Sequence, residues 1–424
     1  MTTIYKNLND LTILIPTQDR SYFLDRAFLF YSSLNFNCRF IVGDSSTTKN
    51  FIRKAKEVCY KYRNTLNIEF YNYNSDVSFG GKLNLIANKS KTEFTAIIGD
   101  DDVFINTGID ECINYLRKKT DTVAAFGHRI TFKIESKVNN TNDWYCLNQI
   151  RSKGLESNDY KERIQVIDTQ SWSNFLYAVY RSETIKNSLG VIKNLKYNIP
   201  TENLLYYSIL ISGKWKKIDT LFSVIGFESK FFRYKLRSSF PDYWANNGTI
   251  LKQLSKSTFS KDFDKGISNI QILFKNKIDM NEVRESILIS FWSNNTKYLN
   301  EKLGHIHLVK KKLLSYIFYK LYLINYKLWH YFKEYSLINF LGILCKELFR
   351  PYFWKILLRK KQNSVTIDQE EGVSKNYIFI IKTIIHHKSL DCTDVALLSE
   401  KGKYYSVFIP AFKIWKKYPF GIKK

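Results

Sequence analysis

Phe94-Thr95-Ala96-Ile97-Ile98-Gly99-Asp100-Asp101-Asp102 is an apolar run that ends abruptly in three carboxylates. Its apolar part has the length and residue types of a buried strand. Adjacent carboxylates repel one another, most strongly where a sheet edge and its covering helices exclude water. A hard divalent cation, Mn²⁺ or Mg²⁺, relieves that repulsion with oxygen ligands and leaves positions open for water and substrate phosphates. If the strand continued through the acids, Asp100 and Asp102 would share one face and Asp101 the other. A solvated acidic turn, or the N-cap of a helix from Thr107 onward, is the plainer alternative.

Outward from this segment the chain alternates short β-rich runs with helical stretches. Leu11–Pro16, Phe40–Val42, Ile68–Tyr73, Phe94–Ile98 and Val123–Phe126 read as strands, and Ser21–Leu34, Phe51–Tyr62, Gly81–Asn88 and Ile109–Lys119 as helices. This βαβα order predicts an α/β fold, a mostly parallel sheet flanked by helices. Residues 133 to 168 are polar and rich in Asn and Lys, which fits a long loop or an insertion over the sheet edge. Apolar structure resumes at Phe175–Tyr180, a helix at Glu202–Ser212 and a strand at Leu221–Phe227. The expected organisation is therefore an α/β domain over residues 1–245, followed by a mainly helical region over 246–424. In that region Leu314, Ile317, Leu321, Ile324, Leu328, Tyr331, Tyr335 and Ile338 follow alternating spacings of three and four.

Asp44 follows the strand Phe40–Val42, so a second strand delivers an acid to the same sheet edge. In open α/β sheets, ligands bind in the crevice beyond the carboxyl ends of the strands. The ordered set resembles the nucleotide-sugar glycosyltransferases of the GT-A fold, particularly family 2, over about residues 10 to 130. Leu11–Pro16 is similar to the opening strand of that family, Val42-Gly43-Asp44-Ser45-Ser46-Thr47 to its V-D-D-G-S-T element, Gly81-Lys82-Leu83-Asn84 to its next helix start, and Asp100-Asp101-Asp102 to its D-x-D motif.

The resemblance implies a Rossmann-like nucleotide site with Pro16 at the strand end, Asp44 on the nucleobase, and Lys82 and Asn84 beside the nucleotide or its diphosphate. It implies that Asp100, Asp101 and Asp102 hold ribose and metal, with Asp100 and Asp102 the metal ligands and Asp102 the first of them. One departure is Gly43, where the family commonly has the first Asp of a pair. Gly80-Gly81-Lys82-Leu83 is not a phosphate-binding P-loop, since it lacks the earlier Gly and the following Ser/Thr. Inverting transfer needs a base to take the acceptor proton, and the family places it in an E-D pair opening a helix. Glu202 matches the first position, but Asn203 replaces the Asp, and an amide cannot accept the proton. Glu in a first helical turn is also favoured by the helix dipole alone. Trp172, Tyr177, Arg181, Arg233 and Arg237 are weighed as sugar or diphosphate contacts and left out of the site.

The 424 residues carry 65 Lys+Arg against 39 Asp+Glu, a formal charge of +26, with 29 Tyr and 31 Phe. An AT-rich coding sequence yields such a composition without functional cause. The excess is local: residues 1–125 hold 16 basic and 14 acidic residues, whereas 301–361 hold 13 and 3, with 14 aromatics. A basic aromatic region of that kind suits peripheral contact with an anionic membrane, for an acceptor that is a glycan or is lipid-linked; a helical bundle or oligomer seam is the alternative. No apolar run reaches the roughly 20 residues a spanning helix needs. No secretory signal is read at Met1–Asp10, and the six dispersed cysteines form no C-x-x-C pair. His305 and His307, and the adjacent His386 and His387, have no carboxylate or thiol companions at a telling spacing and are read as surface or structural residues. The expectation is a cytoplasmic protein, peripheral on the inner face of the membrane, using Mn²⁺ or Mg²⁺ and a UDP-sugar in surface polysaccharide or lipooligosaccharide synthesis. A nucleotidyltransferase is disfavoured because Pro16–Asp25 has no Gly-rich phosphate loop, and a nucleic-acid-binding protein by the acidic cluster. An inactive scaffold is the remaining alternative, hinted at by Asn203.

Overall fold

The computed structural model describes residues 6–34, 36–136, 143–150, 154–165, 176–196, 198–228, 257–275, 279, 281–284, 286–287, 410–411, 413–415, 417–418 and 422. The chain runs β1 (Leu11–Thr17), α1 (Ser21–Ser33), β2 (Arg39–Asp44), α2 (Lys49–Tyr62), β3 (Asn67–Asn72), α3 (Phe79–Ala87), β4 (Phe94–Ile97), β5 (Val103–Phe104) and α4 (Asn106–Lys118). It continues through β6 (Thr122–Ser136), β7 (Asp143–Ile150), α5 (Tyr160–Gln165), β8 (Val179–Arg181), α6 (Ser182–Ile192), α7 (Asn198–Ser212), β9 (Lys214–Glu228) and α8 (Ser257–Phe274).

The strands form one nine-stranded sheet in the order β3-β2-β1-β4-β8-β6-β9-β5, with β7 paired to β6. The first half, β3-β2-β1-β4, is wholly parallel. In the second half β8 runs antiparallel to β4 and β6, while β9 lies parallel to β6. This is the Rossmann-like α/β arrangement expected of the GT-A type. β1 sits between β2 and β4 and is buried along nearly its whole length, because helices cover both faces of a parallel sheet. That is why it reads as a continuous apolar run rather than an alternating one.

Among the described residues, aromatic side chains are prominent in this core. Phe28, Tyr31, Phe36 and Phe40 interlock between α1 and β2 with ring centroids 4.8 to 6.4 Å apart, and all four are fully buried. Each such ring contributes about 1.5–3 kcal/mol relative to an exposed one. Cys38, Cys59 and Cys112 are buried free thiols, as expected of core cysteines.

Two parts of the chain differ from the sequence expectation. Residues 133–168, expected as a long loop or an insertion over the sheet edge, include part of a hairpin: β6 extends to Ser136 and pairs antiparallel with β7 from Arg129–Ile150 to Ser136–Asp143, and the alternation of Ile130, Phe132 and Ile134 with Thr131, Lys133 and Glu135 was the overlooked strand signal. α6 was not foreseen, although Ile185, Leu189 and Ile192 pack inward at helical spacing. The boundary expected at 245/246 falls outside the described residues. Beyond it, α8 packs on α6 and α7, with Asn269 donating to the Val191 carbonyl at 2.8 Å. The heptad-like seam at 314–338, the basic segment 301–361, His305, His307, His386, His387, Trp172, Arg233 and Arg237 also lie outside the described residues. Among the described residues no helix is long and apolar enough to cross a membrane.

Candidate active site

The carboxyl ends of β1, β2 and β4 meet at one edge, each followed by a loop that carries polar side chains. The acids after β4 do not continue the strand. Gly99–Asp102 forms a turn, closed by the Asp102 amide on the Gly99 carbonyl at 3.3 Å. The turn carries the chain from β4 in the middle of the sheet to β5, which pairs with β9 through Val103–Val224 and Phe104–Ser223. On this turn Asp100 and Asp101 meet the same guanidinium, of Arg20, while Asp102 turns to Tyr177 and Gly226, a grouping that strand alternation would not give.

Asp100 is buried; its Oδ2 accepts from the Thr17 hydroxyl at 2.6 Å and its Oδ1 lies 3.1 Å from an Arg20 Nη2. Asp101 is more open and also pairs with Arg20. Asp102 is buried; its Oδ1 accepts from the Gly226 amide at 2.7 Å and its Oδ2 from the Tyr177 hydroxyl at 2.5 Å. Burial pushes the Asp102 carboxyl well above the usual carboxylate range, and the Asp101 charge pushes it further. Burial likewise raises Asp100, with Arg20 pulling against it. Burial and the Asp102 charge together raise the Tyr177 phenol.

Arg20 is therefore the cation resident at the acidic turn. Burial works against its charge, but Asp100 and Asp101 more than offset that and raise the guanidinium above its ordinary value. It stands at the N-cap of α1, where the helix dipole disfavours a cation. That misplacement was the signal in the sequence, and it went unread. Replacing Arg20 with Gln is expected to cost about 2 kcal/mol without metal, because two close carboxylates lose their counter-charge. Added Mn²⁺ then raises the melting temperature more in R20Q than in the wild-type chain, which differential scanning calorimetry reads directly.

The β2 loop is organised by Asp44. It is wholly buried, its Oδ1 accepts from the Ser46 hydroxyl at 2.6 Å and its Oδ2 from the Asn72 amide at 3.0 Å. Burial raises its carboxyl, and these donors pull it back. Asp44, which the resemblance places on the nucleobase, orients Ser46 and the exposed Asn72. The loop after β1 is tied to the same turn. Asp19, at a φ of 57°, accepts from the Thr47 amide at 2.8 Å and the Thr47 hydroxyl at 3.0 Å, and its own amide donates to Ser46 Oγ at 2.9 Å. A left-handed non-glycine residue is held only where its surroundings over-determine it.

Lys82 reaches this crevice from α3. Its ammonium is buried and donates to the Thr17 carbonyl and to Ser45 Oγ, each at 2.8 Å, joining the β1 and β2 ends. Its charge acts on both Asp44 and Asp100. Pro16 lies at the end of β1 opposite Gly43 in register. The side chain of Asn84, two residues beyond Lys82, joins none of these hydrogen bonds. Gly43, the departure from the family pattern, has a steric reason: a Cβ there would lie 2.7 Å from Ile86 Cγ2 and 3.4 Å from Lys82 Cγ. α3 lies directly against the β2 backbone, leaving no room for a second Asp. Gly43→Asp is expected to destabilise the chain by about 3 kcal/mol in urea unfolding, since it both overpacks and buries a charge.

Glu202 lies on α7, in its second turn rather than its first, because the helix begins at Asn198. The dipole explanation for a Glu there is correspondingly weaker. Its neighbour Thr201 packs on Gly80, where a Cβ would come within 2.9 Å of Thr201 Cγ2, so α7 abuts the start of α3 two residues before Lys82. Burial alone lifts the Glu202 carboxyl to about 7, a value suited to a base at neutral pH. One turn on, Tyr206 feels the Glu202 charge and the buried Arg129. Arg129 donates to the Tyr177 carbonyl at 2.6 Å, and burial lowers its guanidinium to about 10. Glu202 thus acts electrostatically on Tyr206 and Tyr206 on Arg129, while hydrogen bonds join Arg129 to the Tyr177 carbonyl and the Tyr177 hydroxyl to Asp102. Tyr177 and Thr17 belong to the site although sequence reasoning set the first aside and passed over the second. Arg181 does not: it donates to the Thr122 and Leu116 carbonyls behind the sheet.

Among the described residues no three acids, histidines or cysteines form a self-contained metal cage. The acidic turn still fits a hard cation of the kind held by one or two carboxylates together with substrate phosphates. It offers three carboxylates, two of them buried with their acidity suppressed.

No family model matches the sequence, and no curated protein matches it. Solved structures align with it at low identity. The crystal structure of S. aureus TarS 1-349 aligns with a TM-score of 0.43 at 12% identity, over 74% of this chain and 80% of that one. The same TarS 1-349 in complex with UDP-GlcNAc gives 0.41 at 12% identity, over 72% and 79%. This chain spans 47% of the longer TarS structure. The mannosyltransferase PcManGT from Pyrobaculum calidifontis, in complex with GDP-Man and Mn²⁺, gives 0.37 at 8% identity, over 74% and 86%. With TM-scores below 0.5, these likenesses add no chemical detail.

Proposed function

We propose that this chain is a glycosyltransferase that moves a sugar from a nucleoside diphosphate donor, UDP first among them, to a glycan or lipid-linked acceptor, with inversion at the anomeric carbon. The observation that carries the proposal is the convergence of the β1, β2 and β4 ends on one crevice, where buried Lys82 joins the β1 and β2 ends and its charge acts on Asp100 of the acidic turn. A crevice at the carboxyl ends of parallel strands is where such sheets bind nucleotides.

In this proposal Asp100 and Asp102 hold Mn²⁺ or Mg²⁺ together with the donor diphosphate, and Asp101 lies toward the ribose. The cation, when bound, stabilises charge on the departing diphosphate. Lys82 keeps the β1 and β2 loops together beneath the nucleotide, and Asp44 holds Ser46 and Asn72 toward the base. Glu202 takes the proton of the attacking hydroxyl. Surface polysaccharide or lipooligosaccharide assembly at the inner face of the membrane suits the basic, aromatic segment 301–361 as the part that engages acceptor or anionic lipid.

The test is slow release of nucleoside diphosphate from a panel of UDP-, GDP- and CDP-sugars by the purified chain, with Mn²⁺ and then with EDTA. Release from one nucleotide class that stops in EDTA is expected. A second reading, an inactive scaffold on the same fold, draws on Asn203 in place of an acid and on Arg20 seated at the acidic turn. Nucleotide binding without release from any donor would favour the scaffold.

A further inference from the structure

The acidic turn is braced from behind by a part of the chain more than 300 positions away. Arg26 of α1 is fully buried, and its guanidinium donates from Nη2 to the Asp101 carbonyl at 2.9 Å and from Nη1 to the Tyr418 carbonyl at 3.1 Å. It lies between two rings, 4.2 Å from the Trp415 centroid and 5.1 Å from that of Phe23. Trp415 is 1% exposed and meets Phe30 edge-on at 6.4 Å. Further on, the Ile422 amide donates to the Tyr22 carbonyl at 2.9 Å.

The same tryptophan reaches the other end of the turn. Gly226, whose amide holds Asp102, sits so close that a Cβ would lie 2.8 Å from Trp415 Nε1, 2.9 Å from the Asp101 carbonyl oxygen and 3.1 Å from Arg26 Nη2. Trp415 and Arg26 therefore set the backbone of Asp101 and, through Gly226, the carboxylate of Asp102.

We infer that the C-terminal segment around Trp415 is a clasp on the nucleotide site, with Arg26 and Trp415 as positioning residues for the acidic turn. This rests on the proposed nucleotide and cation site and adds a coupling to it. Docking of the clasp favours the binding-competent turn, and a bound nucleotide with its cation must favour the docked clasp by the same factor.

The experiment uses the full chain and four variants: Trp415→Ala, Arg26→Met, the conservative Trp415→Phe, and Ile109→Val as a core substitution remote from the clasp. Hydrogen exchange is followed at Gly226 and across residues 99–104, and UDP affinity with Mn²⁺ is measured by calorimetry. Trp415→Ala and Arg26→Met are expected to speed exchange at those amides by about tenfold or more and to weaken UDP by about tenfold. Trp415→Phe should stay within about threefold of wild type, and Ile109→Val should lower the melting temperature while sparing both readouts. Unchanged protection of the turn in Trp415→Ala overturns the inference, as does loss of protection spread evenly over β1 and β2. Local loss of protection in a chain that binds no nucleotide would instead leave the clasp standing and sink the proposed function.

Discussion

Asp102→Asn is expected to abolish metal-supported nucleotide binding, by at least about 100-fold, in a chain that folds as well as the wild type or better. The amide retains an oxygen for the Gly226 amide hydrogen bond at 2.7 Å and stays within reach of the Tyr177 hydroxyl, so the turn keeps its shape. What it removes is a buried charge that the folded chain accommodates poorly, since burial and Asp101 both raise the Asp102 carboxyl. An acid whose folded value is raised binds its proton more tightly in the native state. Its charge therefore destabilises the fold as pH rises beyond the unfolded value, and Asn escapes that cost. Loss of a cation ligand and gain of stability in one substitution is a combination that a purely structural role does not produce. Calorimetry of UDP with Mn²⁺, beside a thermal melt at pH 7.5, reads both.

Glu202→Gln is expected to cut turnover by about 10³-fold while leaving UDP affinity within about twofold, because a general base acts on the acceptor and not on the nucleotide. Its carboxyl, lifted by burial to about 7, must be ionised to act. Wild-type kcat/KM for the acceptor should then rise about tenfold per pH unit below about 7 and level off above it, and the variant's residual rate should lose that limb. The stability sign is opposite. A carboxyl that moves from an ordinary value near 4.5 to about 7 on folding leaves the fold fullest in stability below the lower value. It loses up to about 3 kcal/mol as pH climbs through the interval, a loss that Glu202→Gln removes. A flat pH profile in an active enzyme would take Glu202 out of the base role and return attention to the helix position of Asn203.

The parallel half of the sheet was legible because β1, β2 and β4 are buried along nearly their whole length and its helices show one apolar stripe each. Leu11–Thr17, Phe94–Ile97 and α1 appear within a residue or two of where the apolar pattern puts them. The hairpin of β6 and β7 was missed although Ile130, Phe132 and Ile134 alternate with polar residues, because Trp144-Tyr145-Cys146-Leu147 in its partner strand has no period-two pattern and Asn and Lys dominate between them. Asp100, Asp102 and Lys82 were found because carboxylates or a lysine at a strand end or glycine-rich helix start are rare enough to stand out. Arg20, Thr17, Gly226 and Trp415 were not, because each matters only through a partner distant in sequence: Arg20 through an acid 80 positions on, Trp415 through a glycine on β9. Gly43 looked like a defect in a motif and is instead a consequence of how closely α3 approaches β2.

The most direct measurement is calorimetric titration of the purified, folded chain with UDP in the presence of Mn²⁺ and again in excess EDTA, with GDP and CDP alongside. Binding of one nucleotide that weakens by about 100-fold or more when the cation is removed is the predicted result. Failure of every nucleotide to bind, with or without cation, would contradict the assignment of the β1, β2 and β4 crevice as a donor site.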